Sequence, residues 1–335
     1  VENGLEILDI QKVTLEGDDV SRAISHCTVA DYCVSLGNYE KAIELGKKAM
    51  EIFKTTLGDN SPDYATSLHV LAYYYSRIGD YDKALELGSK AIDIRKTILG
   101  EKDLEYASSL HDVAYYYSYL GDYARAIELC NQALKIRQEV LGESDSEYAS
   151  SLHDLAYYYS CIGENAKAME MGIKAAEIYK SVSGENHINY AACLNSLALI
   201  YSNCSIYTGA IKFANEAKEI IKNNLGENDS FYTTTLHNLA LYYSIIGDNN
   251  KAIELELQAL NILSSNYGEN HPNYALSLSK LAHCYFDIGE NKKAVEVGKK
   301  AMELLKHNLG NYHPNYAISL ANLAFYYFDI GDNVN

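Results

Sequence analysis

The chain has no tryptophan and only three prolines in 335 residues. Scarce proline suits long helices, because proline removes a backbone donor and clashes with the preceding turn. No proline-rich or glycine/serine-rich stretch marks a linker. No apolar run approaches the roughly 20 residues that span a bilayer. The start, Val1-Glu2-Asn3-Gly4, does not read as a secretory signal. Positive charge is short: 28 Lys and Arg stand against 45 Asp and Glu, a formal net charge of −17. Such a surface repels phosphate backbones and no basic patch offsets it, which argues against nucleic acid and for a basic or neutral peptide or protein partner. The seven cysteines show no CxxC spacing. They read as reduced, mostly buried thiols of a cytoplasmic protein. There is no phosphate loop, nucleotide fingerprint or zinc spacing, so the expectation is a non-enzyme without cofactor, metal or membrane contact.

What the chain does have is a repeat of 42 residues. Glycine recurs at Gly37, Gly79, Gly121, Gly163, Gly247, Gly289 and Gly331, with Ser205 in the missing slot. A second glycine series runs from Gly58 to Gly310, and alanine series run from Ala30 to Ala324 and from Ala42 to Ala294. Within one unit, Ala65, Leu68, Leu71, Ala72 and Tyr75 recur at helical spacing, and so do Ala84, Leu87, Ala91, Ile94 and Ile98. Each unit therefore reads as two helices, A and B, each closed by a glycine suited to a left-handed residue. The alanines let two helix backbones approach toward 8 Å. Helix A is preceded by Ser61, Asp103, Asp145, His187, Asp229, His271 or His313. Ser and Asp are good caps, and the histidines of this slot read as caps rather than metal ligands.

Leu71-Ala72, Tyr75, Gly79, Tyr81, Ala84 and Ala91 sit where the tetratricopeptide family places its packing residues. The 42-residue step, with Gly268-Glu269-Asn270-His271-Pro272-Asn273-Tyr274-Ala275, resembles the kinesin-light-chain type of repeat. The resemblance implies an all-α, right-handed superhelical solenoid of stacked helix-turn-helix repeats, with helix A on the concave side. The expected organisation is one array over 1–335: an orphan helix B at 1–16, seven helix pairs over about 20–310, and an orphan helix A at 312–335. An array cut within a repeat at both ends reads as a piece of a longer protein, able to stack head to tail with its own copies.

The resemblance also implies a binding groove along helix A. Its candidate residues are His69, Tyr73, His111, Asp112, Tyr115, His153, Asp154, Tyr157, Asn195, His237 and Asn238. Tyrosine gives a large stiff contact surface with a hydroxyl, and His, Asp and Asn can bond an extended backbone. The competing reading is that these rows pack against each other. Kinesin-light-chain repeats carry paired asparagines here, whereas Asn195, Asn238 and Asn322 stand singly. Lys280 alone is basic in these rows, which leaves a carboxylate clamp unsupported. The third tyrosines, Tyr75, Tyr117 and Tyr159, are expected in the core with Tyr201, Tyr243, Tyr285 and Tyr327, and Lys90 and Arg137 on the outer face. The function expected is a scaffold that holds a peptide or protein. The alternatives are the sensor arm of a larger effector enzyme and a self-assembling spacer.

Overall fold

The computed structural model describes residues 19–331. The orphan helix B expected at 1–16 lies outside them. The described residues form fifteen helices and no strand. In chain order these are α1 Asp19–Ser35, α2 Tyr39–Leu57, α3 Pro62–Arg77, α4 Tyr81–Leu99, α5 Leu104–Tyr119, α6 Tyr123–Leu141, α7 Ser146–Cys161 and α8 Asn165–Ser183. There follow α9 Ile188–Asn203, α10 Tyr207–Leu225, α11 Ser230–Ile245, α12 Asn249–Tyr267, α13 Pro272–Asp287, α14 Asn291–Leu309 and α15 Pro314–Asp329. Odd-numbered helices are the A type and even-numbered ones the B type. The fold is an all-α array of consecutively packed helix pairs. It divides into two compact units, one up to Lys174 and one from Ala175 onward.

Local chemistry sets the helix ends. Asp80 and Asp122 accept the amides of Lys83 and Arg125 at 3.1 and 3.2 Å and start α4 and α6. Helix A starts the same way at Ser61, Asp103 and Asp145. His187, His271 and His313 cap α9, α13 and α15 through Nδ1, which accepts the amide of the second residue on at 3.1–3.2 Å. Such caps are each worth about 1 kcal/mol.

In the first unit the A and B helices meet through small residues. Ala72, Ala84, Ala114 and Ala126 are fully buried. At Gly88 a Cβ would lie 2.7 Å from Val113 Cγ2, and at Gly46 it would lie 3.2 Å from Leu71 Cδ1, so helix B comes close to the next helix A. The residue that fills the space beyond each glycine is the second tyrosine of the run. Tyr74 lies beside Gly46 and Tyr116 beside Gly88. This corrects the expectation for the third tyrosine at Tyr117 and Tyr159 but not at Tyr75, which belongs to the core as expected. Tyr74, Tyr116 and Tyr158 are the deeply buried ones, whereas Tyr75 is buried less completely and Tyr117 and Tyr159 are half-buried. Successive helix residues turn by about 100°. The second ring therefore faces the preceding helix B, while the third reaches the edge where Arg125 and Lys167 lie over Tyr117 and Tyr159, both at 5.3 Å.

A second correction concerns Arg137. It is 3% exposed and belongs to the interior. Its guanidinium in α6 donates to the Glu147 carbonyl at 3.1 Å and to Ser151 Oγ at 2.8 Å on α7, and meets the Glu147 carboxylate at 2.9 Å. Arg95 makes the same set with Glu105 and Ser109. A buried guanidinium survives when its donors are met, and these two are bonded to both backbone and side chain.

In the second unit Ala210, Ala252, Ala282 and Ala294 are fully buried, and Gly298 lies against Tyr326. The pair α9–α10 departs from its siblings. Ser205, at φ +61°, holds the left-handed position that glycine takes elsewhere. Ile206 precedes α10 without a side-chain cap. Gly209 stands where other repeats have Lys or Arg, and a Cβ there would lie 2.4 Å from the Tyr201 ring. Tyr201 instead packs edge-on to Phe213 at 5.1 Å. An aromatic pair has replaced the cation-on-tyrosine contact.

A left-handed non-glycine residue costs on the order of 1 kcal/mol. Ser205→Gly is expected to raise stability by about 0.5–1 kcal/mol in chemical denaturation. Hydrogen exchange over 188–225 should be faster than over the neighbouring pairs, since stability in a repeat array is a sum of local terms. Protection equal to the neighbours' would refute this.

Candidate functional site

Eight candidate residues lie in the first unit: His69, Tyr73, His111, Asp112, Tyr115, His153, Asp154 and Tyr157. Three lie in the second: Asn195, His237 and Asn238. In the first unit they stand on α3, α5 and α7. Tyr73, Tyr115 and Tyr157 point outward and are exposed. The polar row behaves differently. His69 Nε2 lies 2.7 Å from Asp112 Oδ2, and His111 Nε2 lies 2.8 Å from Asp154 Oδ2. Each histidine reaches forward to the aspartate of the next helix A, so these side chains join neighbouring helices as well as lining the surface.

The electrostatics follow from this pairing. Burial pushes the Asp154 carboxyl up, but the contact with His111 and the charges of His111, His153 and Arg137 outweigh it and hold the carboxyl below its ordinary range. Burial lowers the His153 pKa, and His111 adds to that, against the charge of Asp154.

Two cavities open on the first unit. One of about 540 Å³ is lined by Ile24, Phe53 and Val70 together with Asp31, Asp63 and Asp103. Asp31 accepts the Tyr74 hydroxyl at 2.7 Å. The other, of about 410 Å³, is lined by Tyr73, Tyr81, Tyr115 and Tyr119 with His111, Asp112 and Asp154. It gathers five of the candidate residues. Tyr81 and Tyr119 were not among the candidates. A signal was available for Tyr119, because its siblings in the repeat are Ser35, Arg77, Cys161, Asn203, Ile245, Asp287 and Asp329 and no other repeat puts an aromatic ring there.

In the second unit Asn195 Nδ2 donates to Thr235 Oγ1 at 2.7 Å, and Asn238 is half-buried. His237 Nδ1 lies 2.9 Å from Glu256 Oε2, and Ser277 Oγ donates to the same oxygen at 3.0 Å. Glu256 is buried and was not foreseen. It replaces the forward aspartate, since the residue that would face His237 from the next helix A is Lys280.

Burial, ahead of nearby carboxylates, pushes the Cys27 thiol up to about 11 and the Cys284 thiol up to about 12. These thiols stay protonated at neutral pH and are not activated nucleophiles. Among the described residues, no group of three or more His, Cys, Asp or Glu could hold a metal ion. None of the described helices is long and apolar enough to cross a membrane.

The family profile described as tetratricopeptide repeat matches residues 21–97, 105–181, 207–265, 257–307 and 274–333. No curated protein matches the chain. Among solved structures, the nearly identical TPR-like repeats of a Podosopora anserina protein named for kinesin light chain are similar, with TM-score 0.54 and 24% identity, over 63% of this chain and 99% of that one. BtubC from P. vanneervenii gives TM-score 0.60 and 21% identity over 70% and 94%. A signal-transduction ATPase with numerous domains and a tetratricopeptide repeat sensor, from Pyrococcus horikoshii, gives TM-score 0.69 and 17% identity over 95% of this chain and 46% of that one. At these identities the likeness is one of fold.

The lowered pKa of His153 makes a pH prediction. The unfolded chain takes up this proton near the ordinary imidazole value of about 6.5, whereas the folded chain resists it until lower pH. The contribution is present above about pH 6.5 and is lost as pH falls toward the folded pKa. Unfolding free energies of the protein and of His153→Gln, compared at about pH 7.5 and about pH 5.5, should show a smaller acid loss in the variant. Identical losses would refute the assignment.

Proposed function

The chain belongs to the tetratricopeptide repeat family, and on that footing we propose that it is a non-catalytic interaction scaffold that binds a peptide or protein along its helix-A face. The observation that supports this most is the outward row Tyr73, Tyr115 and Tyr157 above ionised Asp154. Large stiff rings beside carboxylates suit a basic or polar extended segment. The first unit is the favoured seat, because the same row in the second unit holds Leu199, Leu241, His283 and Phe325, with no tyrosine, and its neighbour holds Lys280. A reducing compartment such as the cytoplasm suits seven cysteines that form no disulfide. The alternative, a sensor arm of a larger effector, has a counterpart in the Pyrococcus horikoshii ATPase, which carries a tetratricopeptide repeat sensor. It would work through the same partner contact.

The test is partner capture with Tyr115→Ala plus Tyr157→Ala, against Lys90→Ala plus Lys102→Ala on exposed positions away from the row. A buried tyrosine contact is worth about 2 kcal/mol or more on truncation, so capture should fall at least about tenfold for the tyrosine pair alone. Helicity should be unchanged by circular dichroism. Equal capture by both pairs would place the partner on another surface.

A further inference from the structure

The 410 Å³ cavity of the first unit has walls and floor of different chemistry. The Tyr81 and Tyr119 rings stack at 4.5 Å with 19° between their planes, and Tyr115 tilts onto Tyr119 at 4.7 Å. Tyr73 lines the cavity with them. Tyrosine faces carry the negative lobe of the ring quadrupole. The floor holds Asp112 and Asp154. Asp112 meets His69 at 2.7 Å through one oxygen and has His111 Nδ1 at 3.9 Å from the other, while Asp154 meets His111 at 2.8 Å through one oxygen. A carboxylate has about four lone-pair sites, so acceptor capacity remains on both.

The cavity's own cation is committed elsewhere. Arg77 lies over the Tyr39 ring at 5.5 Å, with Nε donating to the Tyr39 hydroxyl at 3.3 Å. Arg125 lies likewise over Tyr117. The chain thus already lays guanidinium groups on tyrosines, and among the described residues its stacked cations sit on rings other than Tyr73, Tyr81, Tyr115 and Tyr119. With the lining imidazole neutral, two carboxylates against one guanidinium leave the space net negative. A planar, weakly hydrated cation fits between stacked rings and carboxylates better than a compact, strongly hydrated ammonium.

We infer that this cavity is the subsite for an arginine side chain of the partner segment, its guanidinium lying on the tyrosine faces and bonded to Asp112 or Asp154. The inference rests on the proposed groove and names what one part of that groove reads.

The test uses three blocked tripeptides, Gly-X-Gly with arginine, lysine or citrulline at X, followed by saturation-transfer NMR. Citrulline keeps the shape and removes the charge. The arginine peptide should bind at least about fivefold tighter than the lysine peptide, and the citrulline peptide more weakly still. Tyr119→Leu should weaken arginine binding by about fivefold or more, and Tyr119→Phe should retain most of it. Tyr312→Leu, at a fully exposed tyrosine of the second unit, should change nothing. Circular dichroism confirms that each variant is folded. Equal binding of the three peptides, lysine binding as tight as arginine, or an unaffected Tyr119→Leu would each overturn the inference. Partner capture by the Tyr115 and Tyr157 pair is a separate readout, so the subsite can fail while the groove stands.

Discussion

The close approach of helix B to the following helix A is the constraint on which the other features depend. It exists because one position of helix B is kept small, as at Gly46, Gly88 and Gly298. A glycine inside a helix costs roughly 0.5–1 kcal/mol against alanine, so the position has to return something. What it returns is room for a tyrosine ring from the next repeat, and a buried aromatic side chain contributes a few kcal/mol. The register of the tyrosine run follows. With Tyr74 or Tyr116 turned toward the glycine, the preceding residue, Tyr73 or Tyr115, must project outward. The exposed rings are a geometric consequence of the buried ones.

The exception in the second unit supports this account. At the small position stands Glu256, and the partner position on the next helix A holds Cys284 where the other repeats hold tyrosine, apart from Ile200. A larger residue on one side has been met by a smaller one on the other. The carboxylate that arrives is bonded by His237 and Ser277. The same rung has Lys280 where the first unit has Asp112 and Asp154. Loss of the forward aspartate, gain of a buried glutamate and loss of the tyrosine form one compensated set, since a buried carboxylate without partners would cost several kcal/mol.

The period of 42 residues made the helix pairs, their caps and their glycine ends legible, because these depend on local chemistry repeated many times. The histidine caps could be recognised from position alone. Contacts made between repeats were not legible. His69 with Asp112 and His111 with Asp154 are 43 residues apart, and only the stacking offset decides that the histidine looks forward rather than toward the aspartate beside it. Arg137 was misplaced for the same reason: a charged residue on helix B reads as outer surface until Glu147 and Ser151 of the next helix are brought to it. The second tyrosine's deeper burial was not legible, because a rotation of about 100° separates it from the third and a repeat profile does not show which neighbour each one meets.

The two units share their buried rows and differ in their exposed ones. Alanine stands at the same interior steps in both, but the outward row runs Tyr73, Tyr115 and Tyr157 in one and Leu199, Leu241, His283 and Phe325 in the other. A repeat array can diverge in this way because each repeat packs only against its neighbours, so an outward side chain is free of the packing that fixes an inward one. Recognition therefore resides in rows that the fold does not constrain, and the fold by itself names no ligand. In the first unit that freedom has been used to place Tyr119, found in no sibling, against Tyr81 and Tyr115. A ring that is 57% exposed, stacked on one ring and tilted against another contributes little to a core. Its placement is better explained by what the three rings can hold between them.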